Sequence, residues 1–107
     1  MNEITNHEIK CSIALASLRQ VIDPEIGLNI VDLGLIYQVD FDELNDEIFL
    51  TMTLTTQFCP MGESIRDGVM NAMQNSFHDY TIHIDIVFDP PWNHERISEE
   101  GKEFLNQ

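Results

Sequence analysis

The sequence predicts a small α/β domain of the α+β type. We expect a two-layer sandwich in which helices cover one face of a three-stranded mixed sheet. Two observations support this fold class. Three segments alternate apolar and polar residues with the period of two that marks a half-buried strand, and segments with helical apolar spacing precede, separate and follow them. The predicted order is α-β-β-α-β-α, and 107 residues suffice for one domain, 1–107, with one core.

The first helix is predicted from its ends and from one apolar face. Thr5 and Glu8 have the spacing of a capping box, so we expect the helix to begin there. Asp23 precedes Pro24, and a residue before proline avoids the helical conformation, so the helix should end at this point. The apolar face expected to pack on the sheet comprises Cys11, Leu15, Leu18 and Ile22.

Three strands follow from the alternating pattern. The first runs over Leu35–Phe41, with Leu35, Tyr37, Val39 and Phe41 on one side and Ile36, Gln38 and Asp40 on the other. A polar turn, Asp42–Glu47, leads into the second strand, in which Ile48, Leu50, Met52 and Leu54 share a side. The third carries Ile82, Ile84, Ile86 and Phe88. We expect the first two to form a hairpin and the third to return parallel through a right-handed helical crossover.

The remaining helices are predicted from their first residues. Proline is favoured at the first helical position, so the second helix should begin at Pro60, with Cys59 at its N-cap. Its apolar stripe comprises Met61, Ile65, Val69 and Met73. Ser98 has the character of an N-cap for a short acidic helix that ends near Gln107.

Cys59 is the candidate functional thiol. At an N-cap, the free amides of Met61 and Gly62 would point at its sulfur, and the partial positive charge of a helix start favours the thiolate. Glu63 and the acidity of the whole chain oppose this effect. The alternative is a buried cysteine that only fills space. Cys11 is predicted to be such a residue, because it lies on the apolar face of the first helix.

The charge of the chain excludes several classes of partner. There are 19 acidic and 5 basic residues, which give a formal net charge of −14. Binding to nucleic acid or to an anionic membrane requires clustered lysine and arginine. No apolar run reaches the length of a membrane span, and Met1–Ile4 lacks the basic and apolar regions of a signal peptide. We therefore expect a cytoplasmic protein with free thiols.

Acidic and aromatic residues in the loops provide further candidates. Asp23, Glu25 and Asp32 are turn formers, solvated charges or polar groups gathered near Cys59, and their local sequence favours ordinary turn chemistry. In the run Asp89–Trp92, two prolines favour an extended chain that presents Trp92 in a fixed direction. Trp92 either folds back onto the core or forms a partner-binding edge.

Three motifs carry a resemblance to a known family. They are Asp23–Ile26 with Asn29–Tyr37, then Thr53–Thr56 with Cys59–Pro60, and finally Asp89–Trp92. In this order they resemble the SufT/PaaD-like domain of iron–sulfur assembly factors, which is related to eukaryotic cytosolic iron–sulfur targeting proteins. The resemblance covers nearly the whole chain. It implies a fold like the C-terminal domain of NifU-type scaffolds and a role in the maturation of iron–sulfur proteins.

The resemblance also assigns roles to individual residues. One departure is the pair Gln57–Phe58, where the family often has small residues or proline, and Phe58 is expected to shield the thiol. The family's reactive cysteine corresponds to Cys59, its acidic motif residues to Asp23, Glu25 and Asp32, and its threonines to Thr55 and Thr56.

Three functional hypotheses follow. In the first, Cys59 is one transient ligand of iron or of an iron–sulfur cluster, with no stably bound cofactor. A cluster usually takes four thiolate-type ligands, so a target apoprotein, the assembly machinery, a small thiol or a second copy in a homodimer must supply the others. In the second, the chain is an adaptor that recruits target enzymes through its acidic surface and Trp92 without touching a cluster.

The third hypothesis is a thiol enzyme with Cys59 as nucleophile. Such an enzyme needs a base near the thiol. The four histidines lie far from Cys59 in sequence and show no metal-ligand spacing. We therefore expect a protein that is not an enzyme. The histidines are His7, His78, His83 and His94.

Overall fold

The structure, a computed structural model, describes residues 3–58 and 60–106. Four strands form one mixed sheet in the spatial order β1-β2-β3-β4. The strands are β1 (Ile4–Thr5), β2 (Ile36–Asp42), β3 (Glu47–Met52) and β4 (Thr81–Ile86). The helices are α1 (Glu8–Leu18), α2 (Gly62–Ser76) and α3 (Glu99–Leu105), with a single 3₁₀ turn at His94–Arg96 before α3. The predicted fold class is confirmed, with four strands in place of three. The additional strand β1 has two residues, too few to show alternation.

Strand pairing follows the predicted plan. β2 and β3 form an antiparallel hairpin, and β4 lies parallel to β3 after the chain has passed through α2. β1 pairs in parallel with β2 at the other edge. A register irregularity between Ile36 and Gln38 changes the expected alternation of the first strand. Because a bulge rotates the chain locally, Ile36 is buried on the same side as Val39, while Tyr37, which was predicted to share that side, is half-buried.

The core lies between α1 and α2 and one face of the sheet. Of the stripe predicted for α2, Ile65, Val69 and Met73 are buried, whereas Met61 precedes the helix as its N-cap and is half-buried. Alternate residues of β3 meet this layer, with Ile48, Leu50 and Met52 buried. Within the described ranges, none of the helices has the length and hydropathy of a membrane span.

Both predicted ends of α1 need correction. The helix begins at Glu8 and is capped by His7, whose Nδ1 accepts a hydrogen bond from the amide of Lys10 at 3.2 Å. Thr5 lies in β1 instead, where its hydroxyl accepts from the amide of His7 at 3.2 Å. The helix ends at Leu18, so Ile22 lies beyond its apolar face and is 49% exposed. A histidine cap has no strong sequence signal, which explains the wrong assignment.

The predicted start of α2 is also wrong. The helix begins at Gly62 with Met61 as its N-cap, and Pro60 lies in the turn before it. Cys59 was assigned to the N-cap position, which Met61 occupies. The C-terminal helix follows the prediction, because the Ser98 hydroxyl caps α3 by accepting from the amide of Gly101 at 3.0 Å.

Candidate functional site

The candidate thiol lies in the connection between β3 and α2. Cys59 itself is outside the described residues, and its neighbours define the loop. On its N-terminal side the Thr56 hydroxyl accepts a hydrogen bond from the amide of Phe58 at 3.3 Å. Phe58 is 87% exposed, so its ring extends into solvent and the expected shielding of the thiol gains no support. Thr55 is half-buried at the root of the loop, and Thr56 is exposed.

Two backbone hydrogen bonds fix the root of this loop, one to the first motif and one to the chain just beyond β4. The amide of Thr53, which is fully buried, donates to the carbonyl oxygen of Leu35 at 2.9 Å. The amide of Val87 donates to the carbonyl oxygen of Met52 at 2.8 Å. The first and second motifs, distant in sequence, therefore meet at the end of the sheet from which the loop of Cys59 departs. The third motif joins the first through hydrogen bonds of Pro90 and Trp92.

Asp32 is the second site candidate, and its carboxylate is engaged in hydrogen bonds. One oxygen accepts from the side-chain amide of Asn29 at 2.7 Å, and the other accepts from the hydroxyl of Ser98 at 2.9 Å. The backbone amide of Ser98 also donates to the carbonyl oxygen of Asp32 at 2.8 Å. Asp32 thus attaches the first motif to the start of α3.

The two residues after Asp32 extend this attachment. The carbonyl oxygen of Leu33 accepts from the indole N–H of Trp92 at 2.6 Å, and that of Gly34 accepts from Nε of Arg96 at 2.9 Å. The guanidinium of Arg96 also lies over the ring of Tyr37, 4.2 Å from its centroid. Three consecutive residues of the first motif therefore bind the segment 92–98, which we call the C-terminal strap.

Gly34 is required at this contact. Its φ is +80°, in the left-handed region that favours glycine, and a Cβ atom there would lie 2.6 Å from the Cβ of Arg96. The backbone of the strap occupies the space that any side chain would need. The glycine of the first motif is thus explained by packing against Arg96.

Asp23 has a local role. It is 1% exposed, and its carboxylate accepts a hydrogen bond from the amide of Glu25 at 2.9 Å. Its backbone carbonyl accepts from the amide of Gly27 at 2.7 Å, and its amide donates to the carbonyl oxygen of Leu28. This is the turn chemistry expected of Asp before Pro. Glu25 contributes its amide to the turn while its side chain is exposed.

Trp92 adopts the first of its two predicted arrangements. It is half-buried against the core, and its indole N–H is bonded to Leu33. The hydroxyl of Tyr37 donates to the carbonyl oxygen of Pro90 at 2.7 Å, which fixes the chain before the tryptophan. A role of Trp92 in partner binding remains a prediction.

The described residues contain no group of three or more His, Cys, Asp or Glu side chains that could hold a metal ion. Nor do hydrogen bonds or ion pairs among residues 3–58 and 60–106 join the carboxylates of Asp23, Glu25 and Asp32 to one another. Cys11 is buried in α1, as predicted, and burial raises the pKa of its thiol. Cys59 therefore remains the candidate ligand for a soft metal.

Sequence reasoning missed the contacts that three residues make in this region. Asn29 and Ser98 are the partners of the Asp32 carboxylate, and Arg96 binds Gly34. Asn29 lies three residues before Asp32, a spacing that permits such a contact within a turn. The other two are more than sixty positions away from their partners, and nothing in the local sequence indicates those contacts.

The fold and the converging motifs define a class of small α/β domains that carry a cysteine on the loop between a strand and a helix. The sequence profile of the iron–sulfur cluster assembly protein family matches residues 14–87, and the chain belongs to that family. The resemblance to SufT-like domains is thereby confirmed.

Individual relatives agree with this assignment. The chain is 40% identical over 88 residues to the Fe-S protein maturation auxiliary factor YitW of Bacillus subtilis, across 82% of this chain and 85% of the relative. It is 39% identical over 82 residues to the Fe-S protein maturation auxiliary factor SufT of Staphylococcus aureus, across 77% and 92% of the two chains. The crystal structure of a DUF59 domain of unknown function from Bacillus anthracis superposes with a TM-score of 0.84, at 37% identity and 92% coverage of both chains.

Proposed function

We propose that this chain is a maturation factor for iron–sulfur proteins in which Cys59 provides one transient thiolate ligand to iron or to a cluster. The observation that carries the proposal is that the first motif binds both of the others. It meets the second at the root of the Cys59 loop through the Thr53–Leu35 hydrogen bond, and it meets the third through the Trp92–Leu33 and Tyr37–Pro90 hydrogen bonds. Family membership supports the same role, since the relatives from B. subtilis and S. aureus are Fe-S protein maturation auxiliary factors.

The number of cysteine ligands in the chain favours transfer of iron or a cluster over its storage. A cluster usually takes four thiolate-type ligands, and the only other cysteine, Cys11, is buried in α1. The remaining ligands must therefore come from another molecule, such as the target apoprotein or a member of the assembly machinery. In this scheme the Cys59 thiol loses its proton to solvent as the sulfur–iron bond forms. The bond breaks when a thiolate of the target replaces it, and no electron is transferred.

Phe58 provides a contact for the recipient of the metal. Its ring is 87% exposed and precedes Cys59 directly in sequence. An exposed aromatic side chain next to a metal-carrying thiol suits docking onto an apolar patch beside the target's own ligands. We expect the factor to act in the cytoplasm without an enzymatic step of its own.

A second candidate function is an adaptor that recruits target enzymes without binding iron. The exposure of Phe58 favours it as much as it favours transfer, because docking does not require the thiol. In this function the acidic surface and Trp92, which is half-buried with its indole N–H bonded to Leu33, would contact the target enzyme.

Genetic complementation separates the two functions. A strain lacking this gene and any overlapping factor receives the normal gene, Cys59→Ser or the control Cys11→Ala, and the activity of an iron–sulfur enzyme is measured. Transfer predicts that the normal gene and Cys11→Ala restore activity while Cys59→Ser does not. Rescue by all three would favour the adaptor, and an unchanged activity after deletion would contradict a maturation role.

A further inference from the structure

On the face of the sheet opposite α1 and α2, nine side chains of β2, β3 and β4 are half-buried or exposed. Cross-strand register places its outward-facing residues in three rows across β2, β3 and β4. Phe49 occupies the middle of the central row and is 43% exposed. The rows are Gln38, Thr51 and Asp85; Asp40, Phe49 and His83; and Asp42, Glu47 and Thr81.

An aromatic pair forms the centre of this face. The rings of Phe49 and His83 stack with centroids 4.8 Å apart and an interplanar angle of 11°. Beside them lies a cavity of about 710 Å³ whose lining includes Asp40, Phe49 and Leu44. Leu44, at the tip of the β2–β3 hairpin, is 96% exposed. The face thus combines an aromatic surface with an apolar side chain at its border.

Apart from His83, every ionisable residue of this face is acidic. Its carboxylates accept hydrogen bonds from neutral amides or from histidine: Asp40 from Gln38, Asp42 from Asn45, and Glu47 at 3.0 Å from the ring of His83. Across the described strands there is no lysine or arginine. The five basic residues of the chain are Lys10, Arg19, Arg66, Arg96 and Lys102.

We propose that this open sheet face, centred on Phe49, docks an arginine-containing extended segment of a partner protein. A guanidinium group can stack on the Phe49–His83 pair while it binds Asp40 or Asp85, and an apolar neighbour enters the cavity beside Leu44. A second copy of this acidic face, a nucleic acid or an anionic membrane would meet like charge instead. The surface goes beyond the proposed function, because binding there does not involve Cys59.

The test measures binding to the full chain, at physiological salt, of a short fluorescein-labelled peptide with the repeat Arg-Ser-Leu-Ser, which places arginine and leucine on the same side of an extended chain. A second peptide carries the neutral isostere citrulline in place of arginine. Two variants alter the face, Phe49→Thr and the pair Asp40→Asn/Asp85→Asn. Their controls are Ile9→Thr on the exposed side of α1 and the pair Glu63→Gln/Asp67→Asn on the exposed side of α2, which removes the same charge.

We expect each face variant to weaken peptide binding about tenfold, as loss of a central contact does, and the controls to change it less than about twofold. The citrulline peptide should bind weakly to every form. If the control pair on α2 lowered the peptide affinity as much as the face variants do, binding would depend only on net charge, and the proposal would be overturned. Self-association of the unmodified chain that is lost in Phe49→Thr would also overturn it, because a second copy of the chain would then cover the face.

Two checks keep the outcome interpretable. Circular dichroism establishes that each variant is folded, and if Phe49→Thr unfolds, the paired aspartate variant decides the question by itself. Amide chemical shifts of the unmodified chain should move on peptide addition within 38–42, 47–51 and 81–85. Shifts confined to α2 or to the Cys59 loop would contradict the docking surface and leave the maturation role untouched.

Discussion

Ser98 binds Asp32 twice, through its hydroxyl to the carboxylate at 2.9 Å and through its amide to the carbonyl oxygen at 2.8 Å. The same hydroxyl accepts from the amide of Gly101 and caps α3. Ser98 therefore connects the first motif to the C-terminal helix through hydrogen bonds. The acidic residue that the resemblance assigned to function has at least this structural role.

Replacement of Asp32 should destabilise the fold because these hydrogen bonds are lost. Asp32→Ala removes the acceptors of Asn29 and Ser98, and we expect the free energy of unfolding to fall by about 1–3 kcal/mol. Urea denaturation of Asp32→Ala, Ser98→Ala and the double variant measures the coupling. Strict additivity of the two losses would show that the contact contributes nothing.

The two glycines with left-handed backbone form a matched pair. Gly34 has φ +80° and faces the Arg96 backbone, whereas Gly27 has φ +83° and open space within 4 Å of the position that a Cβ atom would take. Gly27→Ala should lower the free energy of unfolding by about 1–2 kcal/mol, because only the strain of a left-handed alanine is added. Gly34→Ala should lower the free energy of unfolding by about 3 kcal/mol or more, because the C-terminal strap must also move. Thermal denaturation of both variants checks the difference, and equal losses would contradict the close packing of the strap.

The thiol of Cys11 should be unreactive in the folded protein. Burial raises its pKa, so in Cys59→Ser the native chain should resist alkylation that proceeds rapidly after unfolding. Because the folded pKa exceeds the unfolded one, the contribution of Cys11 to stability is complete below about pH 8.5 and declines as the pH rises further. Cys11→Ala should remove this part of the pH dependence. Rapid native alkylation of Cys59→Ser would contradict the burial.

Acidic pH should destabilise the turn end of the β2–β3 hairpin. Hydrogen bonding to Lys10 lowers the pKa of Glu43, and hydrogen bonding to Asn45 lowers that of Asp42. A lowered folded pKa gives stability that is present above the unfolded value of about 4 and is lost as the pH falls through the folded value. Glu43→Gln should therefore flatten the acid limb of a stability–pH profile. An unchanged limb would show that the Lys10 contact does not persist in solution.

Phe58 offers a test of the loop that leaves the fold intact. Since its side chain is 87% exposed, Phe58→Ala should change the free energy of unfolding by less than about 0.5 kcal/mol. Its rescue of an iron–sulfur enzyme in the deletion strain should nevertheless be reduced. Ile9→Ala, on a 73% exposed residue of α1, is the control and should rescue fully. Equal rescue by both variants would exclude Phe58 from target contact.

Periodicity predicted the parts of the fold that depend on burial. Ile65, Val69 and Met73 in α2 and the alternation of β3 are buried as expected, because a helix or strand with one apolar face has one way to bury it. Features that depend on one or two residues were missed or misplaced. The His7 cap and the two-residue strand β1 are examples, since neither has a distinctive local pattern.

The site was predictable as a set of residues but not as an arrangement. The sequence motifs singled out Asp32 and Trp92, yet their contacts with Ser98 and Leu33 span 66 and 59 positions of the chain. Such pairings are fixed by the tertiary fold and leave no local signal. The buried Asp23 was the opposite case, because Asp before Pro already specified its turn.

The most direct test of the central claim is an anaerobic transfer assay with the purified chain. The chain is supplied with ferrous iron, sulfide and a small thiol and then mixed with an apo iron–sulfur enzyme, whose recovery of activity is followed over time. The account predicts that the unmodified chain and Cys11→Ala accelerate recovery, while Cys59→Ser leaves it at the rate seen without the factor. Acceleration by Cys59→Ser equal to that by the unmodified chain would contradict the role of Cys59 as a ligand in transfer.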